Sequence, residues 1–318
     1  MRKNKTLIAF CCKVILLLLI LLGVDRLVGI TFVSMKDCGL KKNPENRWLK
    51  TAYAVEKVNT DIIIIGSSKA SHHYIPNMIS EELGMSTYNC GQDGCFFLYQ
   101  NCIINMILDR YSPKMILWDI QPSSFTGQEK NKEYQNIRYL SPYYRGNIWV
   151  KNFIDSESMK VPFLMSSCMF AYNSKFLNYV FPLVINSSVT NNGYIPLGTE
   201  GNSSPQLYIE KDNNSNHKLD EFLKLLSETI ARCKSKGVDL HLYISPEYSE
   251  KCEATKEVES EIEKIALLED VPFANYHSLP EFMNDPSLFK DAGHLNDKGA
   301  KVYTSIVLQD LRRNIVCF

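Results

Sequence analysis

The chain has no excess of either charge: its 318 residues carry 35 Lys and Arg against 35 Asp and Glu. Such balance argues against a basic surface for nucleic acid or for an electrostatic membrane patch. The ten cysteines include no CxxC pair, which leaves zinc ribbons and dithiol redox motifs without support. Cys11 and Cys12 lie in the apolar amino-terminal segment. The other eight are free buried thiols or, in an exported domain, disulfides whose pairing the sequence does not fix. There is no internal repeat and no low-complexity tract. No metal-ligand spacing is recognisable around His72, His73 and His294, and neither a metal nor a cofactor is expected. A hydrophobic content of 45% is that of an ordinary globular protein.

One long apolar run is present. Leu7 to Val24 is apolar apart from Lys13, which is just long enough to cross a bilayer. Lys13 lies near the basic end and can snorkel. Arg2, Lys3 and Lys5 precede the run and place the amino terminus in the cytoplasm. A cleaved signal peptide is the rival reading, but Gly23-Val24-Asp25-Arg26 offers no small-x-small cleavage site. The expected organisation is a cytoplasmic tail at 1–6, a transmembrane anchor at 7–29, a stalk with one helix at 30–58, and a periplasmic or extracellular domain at 59–318.

The domain is organised around Asp61-Ile-Ile-Ile-Ile-Gly66-Ser67-Ser68-Lys69. Four consecutive isoleucines read as a strand buried on both faces, as in a parallel sheet. Gly66 ends it, and Pro76 opens a helix over Asn77 to Leu83. A hydroxyl therefore stands where a strand turns toward a helix, at the carboxyl end of a sheet. Open α/β sheets bind ligands there, and helix amino ends supply N–H groups for an oxyanion. A tight turn that needs small residues explains the same pattern.

Further strands are expected at Ser86 to Cys90, Lys114 to Ile120, Asp239 to Ile244 and Phe273 to Tyr276. Helices are expected at Phe96 to Tyr111, Leu219 to Lys236, Glu250 to Leu268 and Asn296 to Arg313. This alternation implies a parallel sheet in a three-layer α/β/α sandwich. It breaks between about 125 and 217, read as a partly helical insertion at the sheet rim. Leaving directly after the third strand, the insertion is expected to wall the substrate cleft, with Tyr139, Tyr143, Tyr144 and Tyr194 suited to sugar rings. Packing onto the sheet is the alternative for these tyrosines.

Near the end, Asp291-Ala-Gly-His294 lets a carboxylate orient an imidazole from the same turn. A serine needs such a base, because its own pKa leaves it unreactive at neutral pH. Ser68 and His294 are expected to meet across the sheet rim. Lys69, His72, His73 and Asp93 are candidates for contacting substrate, with plain packing or solvation as the other reading. Asp119, inside a strand, must be paired or near the rim.

Serine after the first strand, with Asp and His on one late loop, resembles the SGNH hydrolases, the GDSL-type esterases and acyltransferases. The resemblance covers roughly residues 59–124 and 238–313. Gly66-Ser67-Ser68 is similar to the first motif block, Tyr88-Asn-Cys-Gly-Gln-Asp-Gly94 to the second and Asp291-x-x-His294 to the last. It implies a flavodoxin-like fold, Ser68 as nucleophile, His294 as base, Asp291 as its orienter, and the N–H groups of Ser68 and Gly94 as the oxyanion hole. The third block departs from the family: Gln121-Pro122-Ser123-Ser124 has no asparagine, leaving Gln121 or Ser123 to donate instead. The Gly-Ser-Ser and His-Leu-Asn forms are closer to membrane-anchored envelope members. These imply ester chemistry on acyl, foremost acetyl, groups of envelope carbohydrate. The implied partners are a carbohydrate or acyl-ester substrate, the membrane through the first helix, and a membrane acyl-donor protein, but no nucleic acid. A fold kept for carbohydrate binding or assembly, without catalysis, is the alternative.

If Leu7 to Val24 stays attached, intact-mass spectrometry of the mature protein will include it. A mature amino terminus near residue 25 would refute the anchor.

Overall fold

Side chains alternate across a strand, so the four isoleucines serve two different cores. The structure, a computed structural model, describes residues 2–125, 139–155, 160–173, 175–185, 190–198, 205–210 and 219–316. Strand β1 (Ile62–Ile65) is wholly buried. Ile63 and Ile65 join Trp118, Phe97, Leu226 and Ile262 on one face. Ile62 and Ile64 join Leu117, Tyr74, Tyr303 and Leu311 on the other. Burying each isoleucine stabilises the fold by about 1.5–3 kcal/mol, and a polar residue at any of the four would lose it.

The other strands of the central sheet are β2 (Thr87–Asn89), β3 (Met115–Asp119), β4 (Asp239–Ile244) and β5 (Phe273–Asn275). All pairings within this sheet are parallel, in the order β2-β1-β3-β4-β5. Helices cover both faces. Helices α2 (Lys50–Glu56), α5 (Phe97–Arg110), α10 (Leu219–Ser235) and α11 (Glu253–Leu268) pack on the first face. Helices α3 (Ser68–His73), α4 (Pro76–Leu83), α12 (Pro280–Met283) and α13 (Asp297–Val316) pack on the second. The helices and strands expected from periodicity are present, with ends shifted by up to three residues. Helix α3 is additional. Its six residues, directly after β1, are too few to give a periodic signal.

The amino-terminal helix α1 runs without a break from Arg2 to Lys42. It is long and apolar enough to cross a membrane. Helix therefore replaces the first part of the expected stalk. Its last turns are not free: Phe32 stacks on Tyr172 with ring centroids 5.5 Å apart, and Leu40 is buried against Leu49 and Tyr179. Tyr172 and Tyr179 belong to the expected insertion, whose described parts are indeed partly helical. They comprise α6 (Ile148–Asp155), α7 (Val161–Leu164), α8 (Cys168–Asn173) and α9 (Phe176–Val184). Residues 126–138, 156–159, 174, 186–189, 199–204 and 211–218 of it lie outside the description. The nine cysteines among the described residues are free thiols.

One stretch of the insertion closes the sheet edge. Asn89 of β2 donates its N–H to the Asn192 carbonyl at 2.8 Å. This caps an edge strand that would otherwise present unpaired backbone groups. The next residue, Gly193, has φ +86°, and a Cβ there would lie 2.0 Å from the Asn89 carbonyl oxygen. Gly193→Ala should therefore destabilise the fold by roughly 1–3 kcal/mol from overpacking alone, with further cost from the left-handed backbone. Denaturant unfolding in detergent measures it. A midpoint equal to that of the parent chain would show that this edge does not bear on stability.

Candidate active site

Open α/β sheets bind at the carboxyl ends of their strands, where the winding direction reverses. Here that point lies between β1 and β3. The backbone approaches closely: a Cβ on Gly66 would lie 2.6 Å from the Ala70 Cβ and 3.0 Å from the Asp119 carbonyl oxygen. Only glycine lets β1 end beside β3 and turn at once into α3. Ser67 is the N-cap of α3, and Ser68 is its first residue. The Ser68 N–H thus belongs to the first helical turn, which has no intrahelical acceptors.

From the other end of the chain, Phe289–Asp291 and His294–Leu295 pair as an antiparallel hairpin. Ala292 and Gly293 form its turn, so Asp291 and His294 face each other across two strands rather than on an open loop. His294 Nδ1 lies 2.8 Å from Asp291 Oδ1 and 3.1 Å from Oδ2. Its Nε2 lies 2.7 Å from Ser68 Oγ. The Gly293 N–H also donates to Asp291 Oδ1 at 2.9 Å. With the Nδ1–H donated to the Asp291 carboxylate, Nε2 carries the lone pair and accepts the serine proton.

Two histidines of α3 bracket His294. His73 is fully buried and accepts the Leu295 N–H on Nε2 at 3.0 Å. Its proton is therefore on Nδ1, which has no partner among the described residues. Burial, with His294, Lys69 and His72 nearby, holds its pKa well below the usual histidine value. His73 cannot reach a substrate; it fixes the hairpin. His72 is also buried. Its Nδ1 meets the Ile195 carbonyl at 2.7 Å and its Nε2 faces Asp93 at 3.3 Å. Its ring meets the His294 ring edge-on, with centroids 5.6 Å apart.

Burial alone would raise the Asp93 pKa, but His72, Lys50 and Ser71 outweigh it and hold the carboxyl at about 2. Lys69 does not face Asp93. Its ammonium pairs with Glu247, after β4. Gln121 Oε1 accepts from Ser67 Oγ at 3.2 Å, and its Nε2 donates to Ser123 Oγ at 3.0 Å. Gln121, Ser123, Lys69 and Glu247 line one polar cavity of about 180 Å³ with Tyr208 and Lys251. In the second block, the Gly91 N–H is taken by Asn89 Oδ1 at 2.9 Å, while Gly94 occupies the following turn at φ +68°.

The expected sugar platform is corrected. Tyr144 and Tyr194 are buried and donate to Asp155 and Asp297. Tyr143 donates to Glu56 at 2.7 Å, and Tyr139 carries the Lys175 ammonium 3.3 Å over its ring. All four pack the insertion in place. The insertion does approach the site, through Ile195 against His72.

Three supporting residues gave no sequence signal, because each acts across a long sequence separation. Lys50 of α2 is buried and donates to Ser71 Oγ at 3.1 Å, and burial lowers its pKa to about 8. Glu247 holds Lys69. Ser245, buried after β4, donates to Asp119. A second serine–histidine contact, Ser249 with His277 Nε2 at 3.0 Å, lacks a carboxylate: His277 Nδ1 meets Ser278 Oγ. Burial and the charges of Lys251 and Lys69 push its pKa down to about 2, too low for a general base near neutrality. No group of three or more His, Cys, Asp or Glu among the described residues is arranged to hold a metal.

No protein-family model matches the chain, and neither does any curated protein. Among solved structures, it is similar to a protein of Bacteroides fragilis described as an acylhydrolase. The identity is 9% and the TM-score 0.44, over 83% of this chain and 94% of that one. A gut microbial diltiazem-metabolizing enzyme aligns at 12% identity and TM-score 0.33, over 80% of this chain and 48% of that one. Likeness at this level identifies neither a family nor an activity.

Asp119 gives a prediction. Its carboxyl is buried, and burial raises its pKa from 3.8 to about 6 despite the bond from Ser245 and the charge of Lys69. A raised carboxyl pKa favours the protonated folded state. The associated stability is complete below about pH 4 and is lost as pH rises through about 6. Relative to Asp119→Asn, the parent chain should lose about 3 kcal/mol of unfolding free energy over this window. A pH-independent difference between the two would show that Asp119 titrates normally.

Proposed function

We propose that the chain is a serine ester hydrolase or O-acyltransferase of the SGNH type with a flavodoxin-like sheet. The observation carrying this reading is the unbroken relay from Ser68 Oγ through His294 to Asp291. His294 takes the Ser68 proton on Nε2 as Oγ attacks an acyl carbonyl. Asp291 holds the ring and stabilises the imidazolium. The tetrahedral oxyanion lies within reach of the first N–H groups of α3, with Gly94 as the second donor. His294 then returns the proton to the leaving alcohol, and the acyl group stays on Ser68. Water completes a hydrolysis; a sugar hydroxyl completes a transfer.

In this reading α1 is a single membrane anchor with its amino terminus in the cytoplasm. The domain then faces acyl esters of envelope or extracellular carbohydrate, foremost acetyl esters. A membrane protein that supplies acyl groups is the matching partner for a transferase. Lys69 acts through Glu247 as one wall of the polar cavity beside Ser68, and the described stretch 190–198 is another wall of the cleft.

One observation favours a non-catalytic carbohydrate-binding or assembly role. The third-block position is Gln121, whose side-chain oxygen and nitrogen are both engaged, by Ser67 and Ser123. Without that donor a transition state loses about 2.7–4 kcal/mol. The geometry of Ser68 and His294 outweighs this, because a serine released from catalysis has no need of an oriented imidazole.

A fluorophosphonate probe should label Ser68. His294→Ala should slow labelling by roughly 10²-fold or more, the usual share of a general base. Labelling at another serine, or a rate untouched by His294→Ala, would leave the non-catalytic reading standing.

A further inference from the structure

The span supports a second conclusion about the insertion, one that rests on α1 crossing a membrane. From Leu7 to Val33, α1 carries one acid, Asp25. A lone carboxylate next to hydrocarbon is costly, yet Asp25 is buried in protein. It accepts from Ser167 Oγ at 2.6 Å and from the Cys168 and Met169 N–H groups at 2.9 Å each. The amino end of α8 thus covers the charge at the level where the apolar run ends. Arg26 and Arg145 both donate to the Ser166 carbonyl at the same level.

Around this junction the insertion is apolar outward. Phe163 is 80% exposed, and Leu164, Met169, Phe170, Phe176 and Leu177 are exposed as well. They adjoin two apolar grooves of about 460 and 470 Å³ along α1. One has Arg26 and Arg145 at its rim; the other runs from Val24 to Met35, with Met169 and Phe176 on its far side. A contiguous exposed apolar patch marks an interaction surface. This patch continues the lipid-facing side of α1, where Leu16 to Leu22 are all more than half exposed.

We infer that residues 163–170 lie in the membrane boundary beside α1. Their apolar side chains dip among phospholipid acyl chains, and Arg26 and Arg145 stand at phosphate level. Amphipathic segments bury their apolar faces about 5–10 Å into this boundary, and arginine at its edge reaches the headgroups. The domain is then held at one height and one rotation rather than swinging on a single helix. The upper end of α9, with Val184, stands beyond this layer, since the Lys42 ammonium bonds the Leu183 carbonyl at the far end of α1.

The test uses the full chain in vesicles of phosphatidylcholine containing a phospholipid with a photoreactive acyl chain. After illumination, peptide mapping should find lipid adducts on 163–170 as well as on 7–33, and none at the exposed Leu267 and Leu268 of α11. In Phe163→Glu with Phe170→Glu, both exposed positions, adducts on 163–170 should fall by roughly tenfold, since carboxylates are excluded from the acyl layer. Adducts confined to 7–33 would overturn the proposal and leave the anchor intact. Adducts on neither segment would overturn both. Adducts at Leu267, or on 163–170 unchanged in the variant, would also overturn the proposal.

Discussion

The hydrogen bond from the Leu295 N–H to His73 Nε2 decides where His294 can stand. It ties the carboxy-terminal hairpin to α3, one residue from the general-base candidate. Burial keeps His73 neutral, and only a neutral imidazole leaves Nε2 able to accept. Thr304 of α13 donates to the His73 carbonyl and accepts the Ile75 N–H, so the helix after the hairpin holds the same piece of α3. Ser68 and His294 are 226 residues apart, yet both are fixed to one six-residue helix. Their 2.7 Å separation follows from that shared support more than from mutual attraction.

The support of α3 is itself unusual in what it buries. Lys50, Lys69, His72, His73 and Ser71 are all inaccessible or nearly so. Each has a partner across a different boundary: Lys50 on Ser71, Lys69 on Glu247, His72 on Asp93. Lys69 with Glu247 is an ion pair, and a buried pair of this kind contributes little net stability, because desolvation offsets attraction. Removing one partner, however, leaves an uncompensated charge. The arrangement therefore specifies the position of α3 more strongly than it stabilises the chain. That is what a site needing sub-ångström placement of a hydroxyl requires.

The sheet was legible in the sequence because its strands are short apolar runs punctuated by Gly, Pro and Ser. Asp239 to Ile244 matched to the residue, and the triad candidates Ser68, His294 and Asp291 meet. Legibility failed where partners are non-local. Nothing near His73 in the sequence distinguishes a core histidine from a substrate contact; its backbone partner is 222 residues away. The four tyrosines of the insertion have the chemistry of a sugar platform, although three of their hydroxyls are committed to Glu56, Asp155 and Asp297. The length of the first helix is not legible for the opposite reason. Asp25 and Arg26 look like the polar stop of a span, but a helix continues through a charge whose partners arrive from residue 167 onward.

That last point joins the apolar helix to the candidate site. Helix α1 is held along its length, by α8 at Asp25, by Tyr172 and Phe176 at Phe32, and by Glu56 at Lys36. Just past its end, Glu45 accepts from Thr190 Oγ1 and its carbonyl accepts the Thr190 N–H. Four residues on from Gly193, Leu197 gives its N–H to Asp297, while Ile195 meets His72. Described contacts thus run from the apolar helix through the insertion to the helix that carries Ser68. A flexible stalk would let the hydroxyl explore a wide shell around its tether. The contacts on α1 oppose that freedom, so the described part of the insertion couples the placement of Ser68 to that of α1.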